Sequence, residues 1–528
     1  MAGPEGLTTL TLPGLLARLL SGPEIDAFPA LAADQRGYWW RFLVRCAEKA
    51  LTELGTTVAE AAAMTPDDLA EMLGEVLAGL VPKGGWCLYQ PEAARPGFLQ
   101  VPAPGGRTDD YKPKSVAALT GLIGTANHER KAGALRSLPP EQVVYALVEY
   151  QTAANYGGSG NYQSQLMGSR SGAGSGTPFM GVWLGQSHQE TFRHDVATLQ
   201  ATGRGAEAAL QGQVWALWTL PWSGNKGDEL NSEELDPAFI PLARLVRLGP
   251  PRDGRFVELL FKSTDAGRVL DHTTTPVGND LKGGGLLGDP FTPTVVEPMP
   301  KIRGTLEKGY DYAEIVGLLY GGDKFRGPSP SVTHAVEGRQ IERDDLAVVF
   351  EGVAYSQGKT LGFHRRVVPL PALGASFMDD PAPVRAVHGP LLELVSNAKK
   401  AVRDAAHIIL SGTDEAGRPK RRDSAKARAD RAVEMLDQRV DAVYLRYLLE
   451  AAAEYRDGRQ EGFETALVAW LQRESRAVFQ AARENLPCCT NQRLQRELLA
   501  ERWLNWQLAR LAGERAPAEA DEEGSSDE

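Results

Sequence analysis

The chain has 528 residues, 42% hydrophobic and 24% charged, with 56 glycines and 34 prolines. That composition suits a soluble globular protein of two or more domains, with ample core and much loop. A net charge of −11 excludes a uniformly basic nucleic-acid binder, so any phosphate contact has to come from local Lys and Arg clusters.

No run of about 18 apolar residues predicts a membrane span. No basic leader followed by an apolar stretch and a cleavage site opens the chain. The four cysteines, Cys46, Cys87, Cys488 and Cys489, lack C-x-x-C spacing for zinc and read as reduced thiols of a cytoplasmic protein.

In chain order, residues 7–54 carry helical periodicity, with Trp40, Phe42, Leu43, Cys46 and Ala47 at matching spacing. Thr65-Pro66-Asp67-Asp68 is a helix start: a capping threonine, proline at the first position and acids in the first turn. That helix is predicted to reach about Leu80. Residues 84–106 read as extended and loop-rich. A short helix is predicted over Lys114–Ile123, leading into the polar loop Gly124–Lys131, where Arg130 and Lys131 are adjacent. Leu138-Pro139-Pro140-Glu141 opens a helix to about Ala154.

Asn155–Gly176 is rich in glycine and serine, with Arg170 inside it. Such a run is either a flexible linker or a loop through which a ligand's backbone approaches closely. A strand, FMGVWL, follows. Residues 187–300 mix helix and strand: a helix over His188–Leu199, a strand over Phe256–Phe261, a basic spot at Lys282-Gly283-Gly284-Gly285, and a turn at Asp289–Pro293. Lys324–Arg343 is predicted to loop out.

Leu346–Leu370 reads as a hairpin. Leu346, Val348 and Phe350 alternate on the first strand, and Leu361, Phe363 and Val367 lie on the second. Tyr355-Ser356-Gln357-Gly358-Lys359 forms the polar tip. A polar tip is either a solvated turn or a rigid probe pushed into a partner.

After Pro383 the composition becomes helical, with amphipathic segments at about 386–410, 424–456, 461–484 and 490–512. In the second, Val433, Leu436, Val440, Val443, Tyr447 and Leu448 form one face. Four such helices with short connections predict an antiparallel four-helix bundle. Between the first two lies the densest basic cluster, Gly417–Arg428, with Arg418, Lys420, Arg421 and Arg422. It is either a solvated connection or a phosphate contact. Ala516–Glu528 holds six acids and no base, which predicts a disordered acidic tail. The fold class is therefore α+β: a mixed domain over 1–380, a helical bundle over 384–513 and a tail over 514–528.

Motifs for catalysis fail on spacing. Gly358-Lys359-Thr360 resembles the end of a phosphate loop, but Gly352 leaves five intervening residues where four are required. The sequence that follows reads as strand, whereas a phosphate loop opens a helix. No G-x-S-x-G or H-E-x-x-H is present. His188, His194 and Asp195 are the nearest histidine group and read as ordinary surface or core residues. The adjacent pairs Asp344-Asp345 and Asp379-Asp380 cannot face each other across a substrate. No catalytic site, metal or cofactor is expected.

Four pieces occur in the order found in one family. They are Gly121–His128, then Asn155-Tyr156-Gly157-Gly158-Ser159-Gly160 with Gly176-Thr177-Pro178, then the hairpin Glu351–Lys359, then the C-terminal helices. In this order they resemble the large subunit (CasA type) of the type I-E CRISPR Cascade surveillance complex. The resemblance spans most of the chain. It departs at the start, where the family's usual opening strand with a Trp-Ile-Pro-like segment is missing, and at His128-Glu129-Arg130-Lys131, where an aromatic or apolar residue can occur.

The resemblance implies a non-enzymatic subunit that reads the protospacer-adjacent motif in double-stranded DNA, wedges the duplex open and recruits a helicase–nuclease. Its implied partners are the target DNA and the crRNA-guided Cascade backbone with its small subunits. It implies Gln357 as the wedge tip, with Tyr355, Ser356 and Lys359 beside it. Asn127, His128, Arg130 and Lys131 would lie near the motif, and Gly157, Gly158 and Gly160 would let backbone reach the groove. Lys282 would be a groove-facing lysine. The alternatives are a scaffold that reads no DNA and a hydrolase with a glycine-rich lid whose site spans residues 155–195.

Overall fold

The computed structural model describes residues 2–3, 6–122, 135–154, 159–162, 164, 178–185, 187–203, 214–231, 234–269, 289–295, 301–302, 304–338, 346–356, 359–459, 462–488 and 490–511. The expected acidic tail lies outside them. The chain divides into two compact units. The first comprises Met1–Tyr310 with Gly317–Ala375, and the second Asp311–Val316 with Ser376–Glu528.

The first unit opens with two short paired strands, β1 (Ala2–Gly3) and β2 (Gly6–Leu7). Helix α1 (Leu12–Ser21) follows, capped by the Thr11 hydroxyl accepting from the Gly14 amide. Pro23 and Pro29 break the periodicity expected over 7–54 before α2 (Arg36–Glu53). Helix α2 is buried on nearly every side, so its polar stripe is buried too: Arg41, Arg45 and Lys49 recur every fourth residue. Helix α3 (Val58–Ala63) precedes α4 (Pro66–Leu80), whose Thr65 cap and Pro66 start are as the sequence predicts.

Where a short helix is expected after Lys114, the chain instead forms strand β3 (Lys112–Ser115) and a single 3-10 turn over Val116–Leu119. Its ladder with a later strand pairs Lys112 with Phe261 and Ser115 with Glu258, and a tertiary partner overrides local propensity. Helix α5 (Pro140–Thr152), strand β4 (Phe179–Trp183) and helix α6 (His188–Gly203) form as predicted.

Strands β5 (Val214–Ala216) and β6 (Leu235–Ile240) pair in parallel. Strand β7 (Leu245–Leu248) joins β8 (Glu258–Lys262) and β3 in an antiparallel sheet with β8 central. Strands β9 (Thr294–Val295) and β10 (Lys301–Ile302) pair beside helix α7 (Tyr312–Tyr320) in the chain order.

Residues 324–343 do not simply loop out. They hold β11 (Phe325–Gly327), which pairs with β9, and α8 (Pro330–Glu337). Proline at the first position of α8 and buried Val332, Ala335 and Val336 on one face account for that helix. The hairpin forms as β12 (Ala347–Ser356) and β13 (Lys359–Pro369), with β4 against the other edge of β12. Helix α9 (Ala372–Asp379) closes the segment. The sheets are small and almost all antiparallel, an α+β organisation.

In the second unit, α10 (Ala382–Ser411), α11 (Asp423–Arg456), α12 (Thr465–Arg483) and α13 (Arg493–Leu511) reproduce the four predicted segments within a few residues. Helix α10 packs on each of the other three. The seam is apolar: Leu391, Val395 and Val402 of α10, Leu436 and Val440 of α11, and Leu504 and Leu508 of α13 are buried. Among the described residues no helix is long and apolar enough to cross a membrane.

Candidate nucleic-acid interface

Strand β12 is the centre of its sheet. Val348, Phe350 and Val353 are fully buried on it. The edge strand β13 is wetter than its sequence suggests: Val367 is 41% exposed while its neighbour Val368 is buried, the reverse of the predicted alternation. A register shift between Ala354 and Tyr355 breaks the strict period of two. Across the ladder Glu351 faces Arg365, and the Arg365 guanidinium donates to the buried Glu351 carboxylate at 2.7 Å. Burial pushes the Glu351 carboxyl up, and Arg36 and Arg365 pull it back down.

Ser356 pairs with Lys359, so Gln357 and Gly358 span a two-residue connection. Those two residues lie outside the described ones. Lys359 is exposed. Tyr355 is half-buried and its hydroxyl turns inward, 3.8 Å from where a side chain on Gly121 would begin. Burial, followed by the charges of Glu149 and Asp34, pushes the Tyr355 phenol well above its ordinary range. The Tyr355 hydroxyl therefore faces the interior near Gly121 and Glu149.

The stems of the predicted loops meet around the last turns of α5. The Thr360 hydroxyl of the hairpin donates to the Gly121 carbonyl at 2.8 Å, where the chain leaves for residues 123–134. Gly121 packs closely on α5: a Cβ there would lie 2.4 Å from Glu149 Oε1, so a side chain would push that carboxylate aside. Glu149 in turn accepts from the Gln35 amide at 3.0 Å.

On the far side of α5, Ser164 donates its hydroxyl to the Thr152 carbonyl at 2.6 Å and its amide to the Ala154 carbonyl at 2.8 Å. This closes the stem of the glycine-rich stretch. Gly160 sits in left-handed backbone at φ 84°, its carbonyl accepting from the Thr264 amide. Arg244 donates to the Tyr162 carbonyl on the same stem. The hairpin stem is thus tied to Gly121, which lies against Glu149 of α5, and the stem of the glycine-rich stretch is tied to the end of α5 through Ser164.

Asn127, His128, Arg130, Lys131, Gly157, Gly158 and Lys282 lie outside the described residues. The basic cluster belongs to the second unit. Its connection is a tight turn, with the Arg418 amide donating to Asp414 at 2.8 Å and the Lys420 amide to the Gly412 carbonyl at 3.0 Å. Arg418, Lys420 and Arg422 are exposed. Arg421 is already engaged, with two bonds of 2.9 and 3.0 Å to the buried Asp404. The histidine group is a buried cluster: Asp195 accepts from Trp40 Nε1 at 2.7 Å and Ser331 Oγ at 2.8 Å, and His194 stacks on His334.

No family model matches the chain, and no curated protein does either. Solved structures do. CasA (Cse1) of Thermus thermophilus aligns over 97% of this chain and 96% of its own, at 15% identity and a TM-score of 0.60. Cse1 of Acidimicrobium ferrooxidans aligns over 98% and 97%, at 15% identity and a TM-score of 0.58.

The chain has the CasA (Cse1) fold.

A chain of a CRISPR RNA-guided surveillance complex gives the same result, 15% identity over 96% and 95% of the two lengths with a TM-score of 0.56. The likeness to CasA takes in nearly the full length of each chain, the mixed region and the C-terminal helices alike. The resemblance read from four short motifs thus holds at the level of the fold. What the sequence did not reveal is the supporting set: Gln35, Glu149, Ser164, Arg244 and Thr360. Single buried polar residues leave no periodic trace, and only the density of polar residues at the two loop stems hints at them.

Proposed function

We propose that this chain is the large subunit of a type I-E-like Cascade complex. It reads a short motif in double-stranded DNA, wedges the duplex open beside it to start R-loop formation, and recruits a helicase–nuclease; it performs no chemistry itself. The observation that supports this best is that the hairpin stem bonds Gly121 beside α5 while the stem of the glycine-rich stretch bonds the end of α5, which brings the stems of several short segments to one place. The likeness to CasA and to a chain of an RNA-guided surveillance complex agrees with it.

The physical logic is coherent. The minor groove offers a degenerate pattern, so a few amide and backbone contacts suffice for a short permissive motif. Gln357 can both donate to and accept from base edges. Glycines at 157, 158 and 160 present backbone amides without side chains in the way. Unstacking a step costs a few kcal/mol, offset by guide–target pairing and backbone contacts. Lys359, Asn127, His128, Arg130, Lys131 and Lys282 supply contacts around the tip. Tyr355 supports it through its inward hydroxyl. The four helices of the second unit act as one antiparallel bundle, in which Arg418, Lys420 and Arg422 track a displaced strand electrostatically while Arg421 braces their turn.

The test is strand opening by the assembled complex on matched targets with varied flanking motif, read by a fluorescent base beside the motif. Gln357→Ala with Gly158→Asp is expected to reduce motif-dependent opening at least about tenfold, a loss of about 1.4 kcal/mol, with assembly intact. Wild-type opening by that double variant would return the chain to a scaffold that reads no DNA.

A further inference from the structure

We infer that the first unit carries a docking groove for an amphipathic helix of a partner protein, one with Lys or Arg beside its apolar stripe. A cleft of about 1500 Å³ lies between the segment leading into α1, helix α4 and the start of α5. That exceeds the roughly 300–1,000 Å³ of ordinary small-molecule sites, so a small ligand would leave much of it unfilled. Its walls are aromatic: Trp86 and Tyr145 are half-buried along it, and the core residues Trp39, Phe42 and Phe98 form its floor. Leu7, at one lip, is 80% exposed. Leu10, Leu12, Phe28, Trp86 and Tyr145 are half-buried along it, so a concave apolar lining stays partly open to water, as at grooves that take a partner.

The side formed by α4 is shaped for a helix. Ala70, Gly74 and Ala78 follow one another a turn apart along the groove and bring almost no side-chain bulk. Glu71 and Glu75, also one turn apart, flank that strip, and Glu141 stands at the start of α5. These three are the only ionisable acids or bases lining the cleft apart from Tyr145, and all three are exposed. None of them has an ion-pair partner among the described residues.

Charge decides the occupant. Nucleic acid would meet three carboxylates and no cation. An acidic helix would be repelled, and a purely apolar one would strand the carboxylates at its rim. A helix with an apolar stripe at i, i+3, i+4 and i+7 fits the aromatic wall, and basic residues four apart on its flank meet Glu71 and Glu75. None of the residues proposed to contact DNA lines this cleft, so the inference stands apart from the DNA-reading role.

The experiment uses the full chain and three labelled synthetic peptides of about 15 residues, the length of α4 at 1.5 Å per residue. One is an amphipathic Leu/Lys helix. The second is its Leu/Glu counterpart. The third is a Leu/Lys peptide of equal charge scrambled to abolish the apolar face. Fluorescence anisotropy is expected to show micromolar binding of the first and at least about tenfold weaker binding of the other two. Glu71→Lys with Glu75→Lys, and separately Ala78→Trp, should each weaken the first peptide about tenfold. Circular dichroism should be unchanged, because all three positions are exposed. Glu71→Gln with Glu75→Gln provides a milder pair with the same expected direction. No binding of the Leu/Lys helix, equal binding of the scrambled peptide, or indifference to every variant would overturn the proposal.

Discussion

In the first unit, α2 carries Arg41, Arg45 and Lys49 into the core. There they meet Asp289 at 3.3 and 3.9 Å and Asp236 at 2.8 Å, partners nearly two hundred residues or more away in the chain. Arg41 and Arg45 also donate to the carbonyls of Pro178 and Phe239. Burial pulls the Arg45 guanidinium down to about 10, with Asp289 opposing that shift. In the second unit the interior is mostly aliphatic with a few aromatics such as Tyr444 and Phe479, and most ion pairs, such as Lys399–Asp437 and Arg439–Glu474, stand at its surface, with the buried Asp404 that holds Arg421 as an exception.

The contrast teaches how each unit holds its shape. A buried charge is tolerated only with its partners in place, so removing one partner of the Arg41–Arg45–Asp289 group strands the others. An aliphatic seam tolerates exchange of side chains of similar volume and is limited mainly by cavities. A unit that must hold several loop stems in fixed relation gains from the first kind of core. A helical unit with continuous seams does not need it.

Asp289→Ala should have the largest effect. It leaves two buried guanidiniums short of a counter-charge and is expected to cost about 3–5 kcal/mol in urea unfolding. Leu436→Ala in the second unit should cost about 2–4 kcal/mol through a cavity alone. Hydrogen exchange should place its loosening in residues 382–511. An Asp289 variant milder than the Leu436 variant would break the contrast.

A pH titration sharpens it. Burial raises the Asp195 carboxyl from 3.8 to about 7, against the pull of its bonds from Trp40 and Ser331. Between about pH 4 and pH 7 the folded state keeps a proton that the unfolded chain has lost, so this group's contribution to stability falls as pH rises through that window. His194 and His334, whose ring pKa values burial lowers from 6.5, act in the opposite sense at the acid end. The difference between wild type and Asp195→Asn isolates the carboxyl. The variant should gain roughly 4 kcal/mol at most relative to wild type between pH 4 and pH 8, by thermal unfolding.

The smallest effect on stability is expected from Thr360→Val, which loses the 2.8 Å bond to Gly121: about 1 kcal/mol or less. If the loop stems work as one base, the same variant should slow DNA opening more than it lowers stability. Equal effects on the two would reduce that bond to an ordinary tether.

Sequence alone determined the four C-terminal helices to within a few residues, though not that Asp311–Val316 joins their unit, because a helix face repeats every 3.6 residues and needs only near neighbours to declare itself. It also determined the hairpin, the cap at Thr65 and the short glycine and proline signals, since turn and cap chemistry is local. The tertiary structure alone decided that Lys112–Ser115 is a strand, that Tyr355 faces inward, that Arg421 is claimed by Asp404, and that the hairpin stem meets Gly121 beside α5. Each of those outcomes is set by a partner outside the local sequence pattern, such as Phe261 for Lys112 or Gly121 for Thr360, and no local pattern encodes the identity of such a partner.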